Sequence, residues 1–81
     1  MLRLIEAPQE TSLRIVHFAG GEGLQRRLFA LGFHKDDIIE LKTMGILRGP
    51  LLVRNVTSDT TAAIGRGIAQ KIFVEKADDK E

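Results

Sequence analysis

One stretch limits what this chain can fold into. Gly20-Gly21-Glu22-Gly23-Leu24-Gln25-Arg26-Arg27-Leu28-Phe29-Ala30-Leu31-Gly32 is the only convincing helix among segments that otherwise read as strands. The leading glycines let the backbone turn out of a strand, because glycine reaches positive φ without a Cβ clash. Gly32 stands where a helix C-terminus favours a left-handed residue. Glu22 lies near the N-terminus, where the helix dipole favours an anion. Leu24, Leu28 and Leu31 recur at i, i+4 and i+7, which at about 100° per residue makes one narrow apolar stripe. Arg26 and Ala30 fall opposite, Arg27 flanks the stripe, and Phe29 falls off it beside Gln25. A helix of about nine residues is marginal alone, so its leucines must pack against the rest of the chain.

The rest reads as short strands. Residues 1–5 form an apolar start, an edge strand or a cover for one end of the core. Pro8 and the polar residues after it make a loop. Leu13 to Phe18 is the first full strand. Leu13 and Ile15 share one face and Val16 and Phe18 the other, so either both faces are partly covered or a bulge shifts the parity. After the helix, Phe33 leads into the polar turn His34-Lys35-Asp36-Asp37. Ile39 and Leu41 then alternate with Ile38, Glu40 and Lys42 as a second strand with one mostly polar face. Residues 44–50 form an unusually apolar loop carrying Met44, Ile46 and Leu47. Residues 51–56 are a third strand, Thr57-Ser58-Asp59-Thr60 a hairpin turn, and residues 61–64 a short fourth strand. Gly65-Arg66-Gly67-Ile68-Ala69 is a tight connection of one 3₁₀ turn, and residues 71–75 are a closing strand.

Close-spaced short strands predict a small barrel of five or six strands, which removes most exposed edges by closing on itself. The expected core is Leu13, Ile15, Leu24, Leu28, Leu31, Ile39, Leu41, Val53, Ile64, Ile72 and Val74. With 81 residues the expectation is a single domain over residues 1–75 and a frayed tail over 76–81. The absence of cysteine leaves no disulfide staple, and the 43% hydrophobic content is enough for one core. Twelve basic residues against eleven acidic ones leave a net charge of +1, with no global footprint for nucleic acid. No apolar run approaches the roughly 20 residues of a membrane span and no signal peptide is visible, so the expected location is cytoplasmic.

The sites for chemistry are weak. The glycine-rich turn opens a helix after a strand, as a phosphate-binding loop does, but it lacks the Lys-Ser/Thr ending and Glu22 would repel phosphate. His17 and His34, with Glu22, Asp36, Asp37 or Glu40, match no known zinc spacing, so no intrinsic metal site and no cofactor are expected; a shared or adventitious site stays open. Ser12 and Ser58 lie in no nucleophile context. The adjacent carboxylates Asp36-Asp37 and Asp78-Asp79 read as solvated, and no enzyme activity is expected. Dispersed arginines without Trp or Tyr make a poor RNA surface.

Two features resist a purely structural reading. Phe29 is off the stripe: either the N-terminal segment covers it or it faces a partner. Met44, Ile46 and Leu47 sit in a loop, where they either fold over the barrel mouth or mark a contact surface. With the nearby arginines they make Arg26, Phe29, Met44, Ile46, Leu47 and Arg48 the candidate partner-binding residues, since aromatics and arginines dominate interface centres.

Arg14-Ile15-Val16, then Gly20-Gly21, then Arg27-Leu28-Phe29-Ala30-Leu31-Gly32-Phe33 is similar to the signature of the FeoA family, the ferrous-iron transport protein A. The likeness continues through Gly49-Pro50-Leu51 and Ala69-Gln70-Lys71-Ile72-Phe73-Val74-Glu75, covering residues 12–75. Two positions depart from it. The family usually has Pro-Gly after the helix where this chain has Lys35-Asp36, a change aspartate tolerates through its access to the left-handed conformation. Gly65-Arg66-Gly67 stands where the family usually has charged residues.

The resemblance implies an SH3-like barrel and a cytoplasmic, non-enzymatic accessory of ferrous-iron uptake. Its expected partner is the cytoplasmic region of the FeoB transporter, with the membrane reached only through that partner, no nucleic acid bound, and a monomer or weak homodimer in solution. The alternative is a metal-responsive regulatory module related to the C-terminal domain of iron-dependent repressors.

Overall fold

The computed structural model describes residues 1–45 and 48–77. Six strands form one sheet: β1 (Leu2–Arg3), β2 (Leu13–Phe18), β3 (Ile38–Thr43), β4 (Leu51–Asn55), β5 (Thr60–Ile64) and β6 (Ile72–Lys76). Their order is β1-β6-β2-β3-β4-β5, and every ladder between them is antiparallel. Helix α1 (Glu22–Ala30) joins β2 to β3, and the four-residue α2 (Arg66–Ala69) joins β5 to β6. The connection expected as one 3₁₀ turn is thus a short α-helical turn. A 3₁₀ turn (Leu4–Glu6) follows β1.

Two bulges give the sheet its inward face. Ile15 lies opposite Val74 and His17 opposite Phe73, so Val16 is an extra residue on β2. Of the two readings of this strand, the bulge is the one that the structure adopts. It lets Leu13, Ile15 and Phe18 all point into the core although their spacing breaks a period of two. A similar step places Lys42 as the extra residue between Leu41 and Thr43. The β2–β3 ladder is narrow, with only Leu13 and Arg14 in register with Ile39 and Ile38. Beyond it Leu41 bridges Gln9, whose neighbour Glu10 donates its N–H to the Leu41 carbonyl at 2.9 Å. Residues from both sides of this junction share one apolar cluster.

The sheet is not a closed ring. Among the described residues β1 and β5 are its edges, so the expected removal of edges does not occur. The N-terminal segment pairs with β6 through Leu2 and Arg3, then buries Leu4 and Ala7. Nine of the eleven expected core residues are buried; Leu24 is half-buried and Leu31 is 43% exposed. Leu4, Ala7, Phe18, Phe33, Leu51 and Ala69 complete the core. Each large apolar side chain fully withdrawn from water contributes roughly 1.5–3 kcal/mol.

The helix end explains Leu31. Gly32 adopts φ 92°, its N–H donates to the Phe29 carbonyl at 2.9 Å, and the Phe33 N–H donates to the Leu28 carbonyl at 2.8 Å. These paired bonds are a Schellman motif, in which a left-handed residue reverses the chain. The reversal carries Leu31 outward and brings Phe33 into the core with Leu28. Phe33 thereby takes the place that a continued stripe would have given to Leu31.

Candidate protein-interaction site

Phe29 is 49% exposed, and the N-terminal segment that was expected as a possible cover lies instead along β6. Its ring stacks on His34, with centroids 5.0 Å apart and planes 27° from parallel. His34 is itself held. Its main-chain N–H donates to Asp37 Oδ2 at 2.8 Å, and its Nδ1 lies 3.3 Å from the same oxygen. Asn55 Nδ2 donates to that oxygen at 2.8 Å and to the Gly32 carbonyl at 2.8 Å. Asn55 Oδ1 accepts from the Ser58 N–H at 3.1 Å. A buried amide on β4 thus ties together the end of α1, the following turn and the β4–β5 hairpin.

Asp37 was expected to be solvated with Asp36. Asp36 is exposed, but Asp37 is buried. The cause is the turn. Asp36 takes φ 72°, as anticipated for an aspartate replacing the family's usual glycine, and donates its N–H to the Ile15 carbonyl at 2.8 Å. This docking on β2 turns the Asp37 carboxylate inward, where the His34 main-chain N–H and the Asn55 amide donate to it. The three-residue spacing of His34 and Asp37 was the available signal; nothing in the sequence marked Asn55 as their partner.

The remaining candidate residues divide between two places. Arg26 is exposed on α1, 4.0 Å from Glu22 one turn earlier. Met44 and Arg48 lie in the β3–β4 loop; Ile46 and Leu47 fall outside the described residues. Met44 is half-buried and packs on the core, while Arg48 is exposed with φ 65°. Among the described residues no hydrogen bond, ion pair or ring contact joins Arg26 or Phe29 to Met44 or Arg48.

Some of the other cations face a carboxylate. Arg14 pairs with Glu75, Arg54 with Asp59 at 2.9 Å, and Lys42 with Glu10 at 2.8 Å. The hydrogen bond to Glu10 holds the Lys42 ammonium above its ordinary pKa, and the hydrogen bond from Arg3 holds the Glu6 carboxyl below its own. These are exposed pairs that contribute little to stability. Among the described residues no three potential metal-ligating side chains converge and no cavity forms. No helix among them is long and apolar enough to cross a membrane.

The architecture is that of a small, mainly β module whose one long helix carries a half-exposed aromatic beside a hydrogen-bonded turn. The chain belongs to the FeoA family: a family model described as the FeoA domain matches residues 2–76. No curated protein matches it. Among solved structures it is similar to an iron uptake regulatory protein (FeoA), with 22% identity and a TM-score of 0.82 over 94% of this chain and 97% of that one. It is similar to the zinc-complexed FeoA of Stenotrophomonas maltophilia, described as a prokaryotic SH3 domain protein, with 28% identity and a TM-score of 0.70 over 93% and 91% of the two chains. It also resembles a manganese-dependent transcriptional repressor, with 16% identity and a TM-score of 0.83, over 94% of this chain but 41% of the repressor.

Proposed function

We propose that this chain is an accessory protein of ferrous-iron uptake that docks on the cytoplasmic region of a FeoB-type transporter. Family membership supports the process, and FeoA is not a known enzyme family. The S. maltophilia relative has been put forward as an activating factor of ferrous-iron transport, which fits a supporting role. The observation that carries the site is Phe29. A ring left 49% exposed, yet fixed by His34 and the Asp37–Asn55 pair, costs little entropy to bury in a partner. Arg26 on the same helix, with Met44, Ile46, Leu47 and Arg48 in the β3–β4 loop, completes the proposed surface. The SH3-like fold, a cytoplasmic location and a monomer or weak homodimer belong to the same reading.

A chemical-shift titration with the transporter's cytoplasmic region tests it. Amides of α1 and the β3–β4 loop are expected to move; if none moves at high concentration, the site is wrong. The repressor likeness favours a second reading, a metal-responsive regulatory module. Tight ferrous-iron binding by the isolated protein would favour that reading over the first.

A further inference from the structure

The β3–β4 loop is fastened at its base by a residue outside it. Arg66, the first residue of α2, is half-buried. Its Nη1 donates to the Met44 carbonyl at 2.9 Å and lies 3.5 Å from the Gly49 carbonyl. These two carbonyls stand at the outgoing and returning ends of the loop, so one guanidinium nitrogen spans its neck. The backbone at the neck is equally constrained. Gly45 takes φ 81°, and a Cβ there would collide with the carbonyls of Gly49 and Pro50. Arg48 is held at φ 65°, a conformation that costs a non-glycine residue about 1–2 kcal/mol and persists only where its surroundings impose it.

We propose that Arg66 is a positioning residue that fixes the neck of the β3–β4 loop, Met44 and Gly45 on one side and Arg48 and Gly49 on the other, for docking to its partner, an inference that rests on the docking role given to that loop above. A charge-assisted bond to a backbone carbonyl is about twice as strong as a neutral one. Leu51 pairs with Ile64, so Arg66 stands beside the neck at the open end of the β4–β5 hairpin and couples α2 to it.

The test compares Arg66→Ala, Arg66→Lys and Gly45→Ala in the full chain. In the isolated protein, Arg66→Ala is expected to shift the amides of Met44, Gly45, Arg48 and Gly49 and raise their picosecond–nanosecond mobility, while β2 and β6 amides stay put. Lysine keeps the charge but is one bond shorter, so it is expected to restore part of that order. Gly45→Ala disturbs the same amides without touching Arg66. With the transporter's cytoplasmic region, Arg66→Ala and Gly45→Ala are both expected to weaken binding on the order of tenfold. Unmoved loop amides in Arg66→Ala overturn the proposal, as does a moved loop with unchanged affinity. If Arg66→Ala fails to fold, the lysine variant decides on the same amides. Wild-type protein that does not bind the transporter region overturns the docking reading and the positioning role with it, while the isolated-protein shifts still establish whether Arg66 fastens the loop.

Discussion

Asn55 donates to Asp37 Oδ2 at 2.8 Å from a position with no exposed surface. The amide also serves the Gly32 carbonyl and the Ser58 N–H, so one side chain satisfies three groups from two connections. Removing a partner from a buried polar group costs more than the bond itself contributes, because the group left behind has already lost its water. Asn55→Ala is therefore expected to lower stability by about 2–4 kcal/mol, measured by urea unfolding with an unchanged m-value. A change below about 0.5 kcal/mol would show that water replaces the amide without loss.

Gly32→Ala isolates a backbone effect. A Cβ there would meet Thr60 Oγ1 at 3.5 Å, an ordinary contact, so only the φ of 92° is penalised. The expected loss is about 1–2 kcal/mol, read in the same urea experiment. Gly32→Asn is expected to lose less, since asparagine visits the left-handed region more readily.

Leu28 and Phe29 are neighbours with opposite roles. Leu28 is fully buried, and Leu28→Ala is expected to cost about 2–5 kcal/mol. Phe29→Ala is expected to change stability little while weakening transporter binding by about 1–2 kcal/mol. Thermal melts and binding titrations of both variants separate the two. A large loss of stability in Phe29→Ala would place the ring among the structural residues instead.

Acid stability has a local marker. Glu6 has a folded-state pKa held below its unfolded value by Arg3. Its contribution is present above the unfolded value, about 4, and is lost as pH falls through the lower folded value. Because the pair is exposed, the effect is small and shrinks with salt. Glu6→Gln is expected to flatten the acid limb of a stability–pH curve slightly, and carboxyl NMR titration of Glu6 should give a midpoint below an ordinary glutamate. Lys42 behaves in mirror image: held up by Glu10, its contribution is full below its unfolded value and lost as pH rises through the higher folded one.

Much of this was legible in the residues. The limits of β2, the alternation of β3 and the nine-residue length of α1 follow from apolar spacing and glycine placement, which act over a few residues. The left-handed positions Gly32 and Asp36 were legible for the same reason. Leu31 was misplaced because its fate depends on a reversal that begins one residue later. Asp37 was misplaced because its burial depends on β2 and on Asn55, eighteen residues on.

The family pattern and the mainly β, single-long-helix plan are therefore properties of the sequence alone, set by local periodicity and backbone preference. Three things belong to the tertiary structure: the open edges of the sheet, the exposure of Phe29, and the reach of Arg66 to the loop neck. Each depends on where distant segments pack. The reason is physical: burial and buried hydrogen bonds are satisfied by whichever groups the fold brings together, and local spacing carries no record of those partners.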